Sequence, residues 1–165
     1  AGMAARSYAV SPSDMDEDGN AVDTPSYNEY GDYILYRPDA ADDTPIYGLP
    51  VDYTTASFPY DTYIAPANAE FDRFAADGVR VYLTYSPRNS CAVSADSTPE
   101  AVTALDVYFR ENLDVTFLTP LQDSLMPGRY FYGTDNHLST NGVTLRTAQV
   151  IEALTNQLQG EGITP

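Results

Sequence analysis

Asp135 and His137 are the residues whose types and spacing best suit chemistry. His137 is the only histidine among the 165 residues. Because its pKa lies near neutrality, a histidine in a loop can take a proton from a hydroxyl nucleophile and return it to a leaving group. A carboxylate that accepts from one imidazole nitrogen fixes the tautomer and stabilises the imidazolium. In an extended loop, side chains two residues apart project to the same side, so we expect Asp135 to orient His137. The alternative interpretation is a capped helix start with a half-exposed histidine.

Apolar spacing predicts three helices, and β-branched and aromatic runs predict two strands between them. The helices are expected at residues 66–77, 97–113 and 141–158, and the strands at residues 79–85 and 114–119. Gly78 is expected to end the first helix, and Ser97 with Glu100 is expected to form a capping box at the second. The last helix is expected to bury one apolar face, made of Val143, Val150, Ile151, Leu154 and Leu158.

This alternation of helices and strands predicts an α/β fold with a parallel sheet and helices on both faces. Only two central strands are visible, and parallel strands need neighbours and cover. We therefore expect further strands from upstream of this chain, from another copy or from another fragment. Residues 1–60 are predicted to be a loop-rich acidic segment with short strands, one of them at 33–36. Residues 61–165 are predicted to be the C-terminal part of the domain.

The block from Asp135 to Ser139, followed by Gly142 and Arg146-Thr147, resembles the last conserved block of the SGNH (GDSL-like) hydrolase superfamily. Most members carry the aspartate three residues before the histidine, where Thr134 stands here. The closer spacing resembles the bacterial envelope branch of alginate O-acetyltransferase-like proteins. The resemblance covers roughly residues 60–158. It implies the C-terminal part of a doubly wound, flavodoxin-like sheet and a Ser/His/Asp triad in which His137 is the general base.

The nucleophile of this family is a serine in a Gly-Asp-Ser-like block, and the sequence contains neither that block nor Gly-x-Ser-x-Gly. The order of the family's blocks places the nucleophile upstream of residue 1, so we expect this chain alone to be inactive. Asn28 is the nearest candidate for the family's oxyanion-hole asparagine, although Tyr27 stands where a glycine is usual. The alternative role for Asn28 is a turn or strand end.

The formal net charge of -16 argues against nucleic acid and anionic lipid as partners. No apolar run is long enough for a membrane span in this chain. Because Cys91 is the single cysteine of the sequence, no disulfide can form within this chain. Residues 14–19 resemble the start of a calcium loop, but Pro25 stands where the closing acidic ligand belongs, so an exposed turn is expected. We expect no metal and no cofactor.

The leading hypothesis is an SGNH-type esterase or O-acyltransferase acting on acylated carbohydrate or another small ester. The resemblance implies an extracellular or cell-envelope location. The alternative is a non-catalytic carbohydrate-binding or structural module that keeps the scaffold. Hydrolysis and transfer stay open, because they share one acyl-enzyme and differ only in what deacylates it.

Overall fold

A computed structural model of the protein describes Glu29, Tyr33, residues 36–46 and residues 50–163. The chain divides into two compact units, Ala1–Tyr36 and Arg37–Pro165. Residues 37–46 and 50–58 are tied to later segments, for example by hydrogen bonds from Val51 N to the Ala92 carbonyl and from Thr140 N to the Arg37 carbonyl. All the helices and strands described below belong to the second unit.

Three α-helices form at the predicted places. They are α1 Ala65–Ala76, α2 Pro99–Asn112 and α3 Thr140–Gly160. Gly78 ends α1 as predicted, with φ 75°. The Gly78 N–H donates to the Ala75 carbonyl at 3.0 Å and the Val79 N–H to the Phe74 carbonyl at 2.9 Å. This pair of bonds is a Schellman motif, whose left-handed residue favours glycine.

The cap of α2 differs from the prediction by one residue. Thr98, not Ser97, is the N-cap, and its hydroxyl accepts from Ala101 N at 3.3 Å. The Ser97 hydroxyl instead accepts from Tyr53 N at 2.7 Å. The predicted Ser97–Glu100 capping box is therefore wrong, because a distant backbone N–H occupies the serine. Pro99 still begins the helix, where its missing N–H has no cost.

Four two-residue strands pair in parallel, giving a mixed α/β fold with small sheets. They are β1 Tyr82–Leu83, β2 Arg88–Asn89, β3 Thr116–Phe117 and β4 Leu125–Met126. β1 pairs with β3 and β2 pairs with β4. The first pair lies within the two predicted strands, although both are much shorter than expected. The second pair was not predicted.

Helix α3 lies beside β1 and runs in the opposite direction. Near its start, Arg146 Nη2 donates to Thr84 Oγ1 at 2.6 Å and to the Tyr85 carbonyl at 2.8 Å. Just beyond its end, Glu161 Oε2 accepts from the Tyr82 hydroxyl at 2.7 Å. These polar contacts join α3 to β1 and to the two residues that follow it.

The predicted burial of the apolar face of α3 is wrong for two of its members in the described part of the chain. Val143 is 40% exposed and Ile151 is 59% exposed. The fully buried positions of this helix are Gly142 and Arg146. No helix among the described residues combines the length and apolar character needed to cross a bilayer.

Two clusters of buried apolar side chains form the core of the part of the chain that the structure describes. In the first, Val102 and Leu105 of α2 pack with Leu121. In the second, Met126 of β4 packs with Phe131 and Leu138. Burying each such side chain stabilises the fold by about 1.5–3 kcal/mol. The second cluster includes Phe131 and Leu138, which flank the loop that carries Asp135 and His137.

Candidate functional site

Asp135 and His137 lie in a short loop between Phe131 and α3, called here the His137 loop and comprising residues 132–137. An antiparallel bridge between Phe131 and Leu138 closes its base. Within the bridge, Tyr132 N donates to the His137 carbonyl at 2.8 Å. Phe131 is completely buried and Leu138 is 9% exposed. Because both flanking side chains are anchored in the core, the loop starts and ends at fixed points.

The interior of the His137 loop is a turn and not an extended segment. Gly133 has φ 67°, a conformation that suits glycine. The hydroxyl of Thr134 accepts from Asn136 N at 3.3 Å and from His137 N at 3.1 Å. Threonine and glycine favour such turns because one offers a local acceptor and the other a left-handed backbone. The loop thus fixes the backbone of His137 while its imidazole is exposed.

The carboxylate of Asp135 is buried, with 1% of the residue exposed. Its Oδ1 accepts from Asn89 Nδ2 at 2.7 Å and from Ile46 N at 2.9 Å. Its backbone carbonyl accepts from Asn89 N at 3.0 Å. These contacts connect the His137 loop to β2 and to the segment of residues 37–46. Asp135 is thus the inward anchor of the loop.

No hydrogen bond or ion pair joins Asp135 to His137 in the part of the chain that the structure describes. The predicted arrangement, with both side chains on one side of an extended loop, is not observed there. The physical reason is the turn at residues 135–136, which rotates the chain between the two side chains. The imidazole is exposed, whereas the carboxylate is buried.

Strand β2 holds the His137 loop through both of its residues. Arg88 Nη1 donates to Asn136 Oδ1, and Asn89 makes the contacts to Asp135. Sequence reasoning missed both residues. The signal that could have found them is their position after the apolar run at residues 79–85, since polar residues that follow parallel strands gather at one sheet edge.

The start of α3 is fixed by a second carboxylate, Asp39. It accepts from Asn141 Nδ2 at 2.8 Å and from the Ser139 hydroxyl. Ser139 is also the N-cap of α3, accepting from Gly142 N at 3.1 Å. The hydrogen bonds from Asn141 and then Ser139 hold the pKa of the Asp39 carboxyl below its usual range, and the charge of Arg129 adds to this.

Two sequence predictions fall elsewhere. Asn28 and the calcium-like motif at residues 14–19 lie outside the described residues. Among the described residues, no three histidine, cysteine or acidic side chains converge as metal ligands would. What the site offers is an exposed imidazole on a loop with a buried acidic anchor. Such an imidazole is accessible for proton exchange with a bound molecule.

Comparisons of the chain with protein-family models, with curated proteins and with solved structures found no match.

Proposed function

We propose that the domain is an SGNH-type esterase or O-acyltransferase that acts on acylated carbohydrate at the cell surface or envelope. His137 is the acid–base group, and Asp135 fixes the loop that carries it. A serine outside the described residues is the nucleophile. The observation that carries the proposal is the accessible imidazole of His137 on a loop whose anchor, Asp135, is buried.

The proposed reaction is an acyl transfer through a covalent acyl-enzyme. The imidazole of His137 accepts the proton of the serine hydroxyl while the serine oxygen bonds to the acyl carbon. The ester C–O bond then breaks, and the imidazolium returns the proton to the departing alcohol oxygen. Water or an acceptor hydroxyl next attacks the acyl-enzyme by the same proton relay, which gives hydrolysis or transfer. The parallel pairing of β1 with β3, with α3 alongside, is compatible with the later part of a doubly wound sheet.

The test is turnover of an acetylated sugar by the natural protein in full, so that a serine outside residues 1–165 is included. His137→Ala is expected to lower kcat by roughly 10²–10⁴-fold, the usual contribution of general acid–base catalysis. The matched control is Gln159→Ala, an exposed position on α3. His137→Ala should leave the free energy of unfolding in urea within about 0.5 kcal/mol of wild type, because the residue is exposed. Unchanged turnover in His137→Ala would end the proposal.

A second candidate function is a non-catalytic carbohydrate-binding or structural module. The observation that favours it is that Oδ1 of Asp135 accepts from Asn89 and Ile46, and not from His137. The same assay separates the two. Binding of the acetylated sugar without turnover in wild type supports the module, and turnover that requires His137 supports the enzyme.

A further inference from the structure

A cavity of about 330 Å³ lies against β1 and β3, on the side where the first apolar cluster packs. The apolar residues that shape it come from both strands, from α2 and from the segment before α1. They are Tyr53, Phe58, Leu83, Phe109, Leu113 and Phe117. Its volume is near the lower end of the range of small-molecule sites, about 300–1,000 Å³.

The residues that line this cavity are of uncharged types, and the side chains of Thr84 and Tyr85 are engaged in hydrogen bonds. The Tyr85 hydroxyl donates to Asp106 Oδ1 at 2.7 Å. The Thr84 hydroxyl is paired with Thr119 at 3.0 Å and with Arg146 at 2.6 Å. Burial, and then the bond to Asp106, raises the pKa of Tyr85, so its phenol stays neutral. The wall therefore favours an apolar ligand.

Paired aromatic rings form part of the walls. Tyr85 stacks on Phe117 with centroids 5.1 Å apart, and Phe58 meets Phe109 edge-on at 5.0 Å. Stacked and edge-on arrangements are the ones that aromatic pairs prefer, and they add to the stability gained from burial.

Two hydroxyls give the cavity polar handles. Within the described residues, neither the Tyr53 hydroxyl nor the Ser86 hydroxyl has a hydrogen-bond partner. Burial raises the pKa of Tyr53 more than the nearby charge of Arg88 lowers it, so its O–H stays a donor. An apolar wall with a few such groups is the usual composition of a small-molecule site. A ligand that fits is apolar with a hydrogen-bond acceptor at one end.

One residue that lines the cavity is close in sequence to the support of the His137 loop. Ser86 is two residues before Arg88, which donates to Asn136 beside His137. Two residues of chain span at most about 7 Å.

We propose that this cavity binds a small, neutral, largely apolar molecule that carries a hydrogen-bond acceptor at one end, with the Tyr53 hydroxyl donating to that acceptor. A volume of about 330 Å³ corresponds to roughly ten groups the size of a water molecule, which suits a small molecule of this kind.

The test is binding of hexanamide, a neutral amide that an esterase does not turn over readily, to the 165-residue chain. Aromatic NMR signals are followed during the titration. Saturable shifts are expected for the rings that line the cavity. Leu113→Phe fills the cavity and should weaken binding at least tenfold. Tyr53→Phe, which removes the donor, should weaken it several-fold. Leu145→Phe adds the same bulk at an exposed position of α3 and should leave binding unchanged.

Absence of saturable shifts, or equal binding by Leu113→Phe and Leu145→Phe, overturns the proposal. Far-UV circular dichroism checks that each variant is folded, and Tyr53→Phe gives an independent result if Leu113→Phe is not. The outcome is separate from that of the proposed function. If hexanamide binds in the cavity but the full protein shows no ester turnover, the ligand site stands and the proposed function fails. If the full protein turns over an ester but hexanamide does not bind in the cavity, the proposed function stands and the ligand site fails.

Discussion

Removing the side chain of Asn89 tests whether β2 fixes the His137 loop. Asn89 is completely buried. Its amide nitrogen donates to Asp135 Oδ1 at 2.7 Å and to the Thr44 carbonyl at 2.8 Å. Its amide oxygen accepts from Cys91 N at 2.9 Å. Asn89→Ala removes these three bonds and leaves the sequence of the loop intact.

The expected cost follows from the partners. A hydrogen bond to a charged group contributes about 1.5–3 kcal/mol and each neutral one about 1 kcal/mol. Together they predict a loss of about 3–5 kcal/mol in the free energy of unfolding. Asn68→Ala is the matched control, because the Asn68 side chain makes two hydrogen bonds, at 2.8 and 3.0 Å. Both join it to neutral backbone groups, and Asn68 is half-buried. Its expected cost is about 1 kcal/mol, since water replaces part of what is lost.

The measurement is urea unfolding followed by far-UV circular dichroism, with equal m values as the condition for comparing midpoints. The imidazole NMR signals of the single histidine report on the loop itself and should shift in Asn89→Ala but not in Asn68→Ala. The double variant Asn89→Ala with Asp135→Ala should cost less than the sum of the single variants, because the two residues share a bond. Equal costs for Asn89→Ala and Asn68→Ala would refute the reasoning.

Two further predictions concern the start of α3. Because the Asn141 amide holds the folded-state pKa of Asp39 low, its contribution to stability is present above the unfolded-state value of about 3.9 and is lost as pH falls through the folded value. The urea midpoint should therefore decrease when the pH is lowered below about 4, and the decrease should be smaller in Asp39→Asn. Parallel pH profiles of the urea midpoint in wild type and Asp39→Asn would contradict this. A side chain at Gly142 would overlap the Tyr130 carbonyl oxygen, whereas Gly160 has nothing within 4 Å. Gly142→Ala should cost about 1–3 kcal/mol in urea unfolding and Gly160→Ala less than about 1 kcal/mol, and equal costs would count against the close contact.

Local sequence was sufficient to predict the helices. The end of α1 at Gly78 and the start of α2 at Pro99 depend on backbone conformation and on missing or available donors within a few residues. Those preferences act before any distant contact forms. The pairing of β1 with β3 was also predictable, because two apolar runs joined by a helix favour parallel neighbours.

Distant contacts decided the rest. Asp135 is 46 residues from Asn89 and 89 residues from Ile46, and its side-chain direction follows from those partners. The same applies to Ser97, whose hydroxyl is occupied by Tyr53 N, and to α3, where Arg146 is buried while Ile151 is exposed. Periodicity indicates which residues could share a face, but the direction of that face depends on the elements that surround it. A buried carboxylate takes the nearest strong donors, and their position in space is not encoded in the residues beside it.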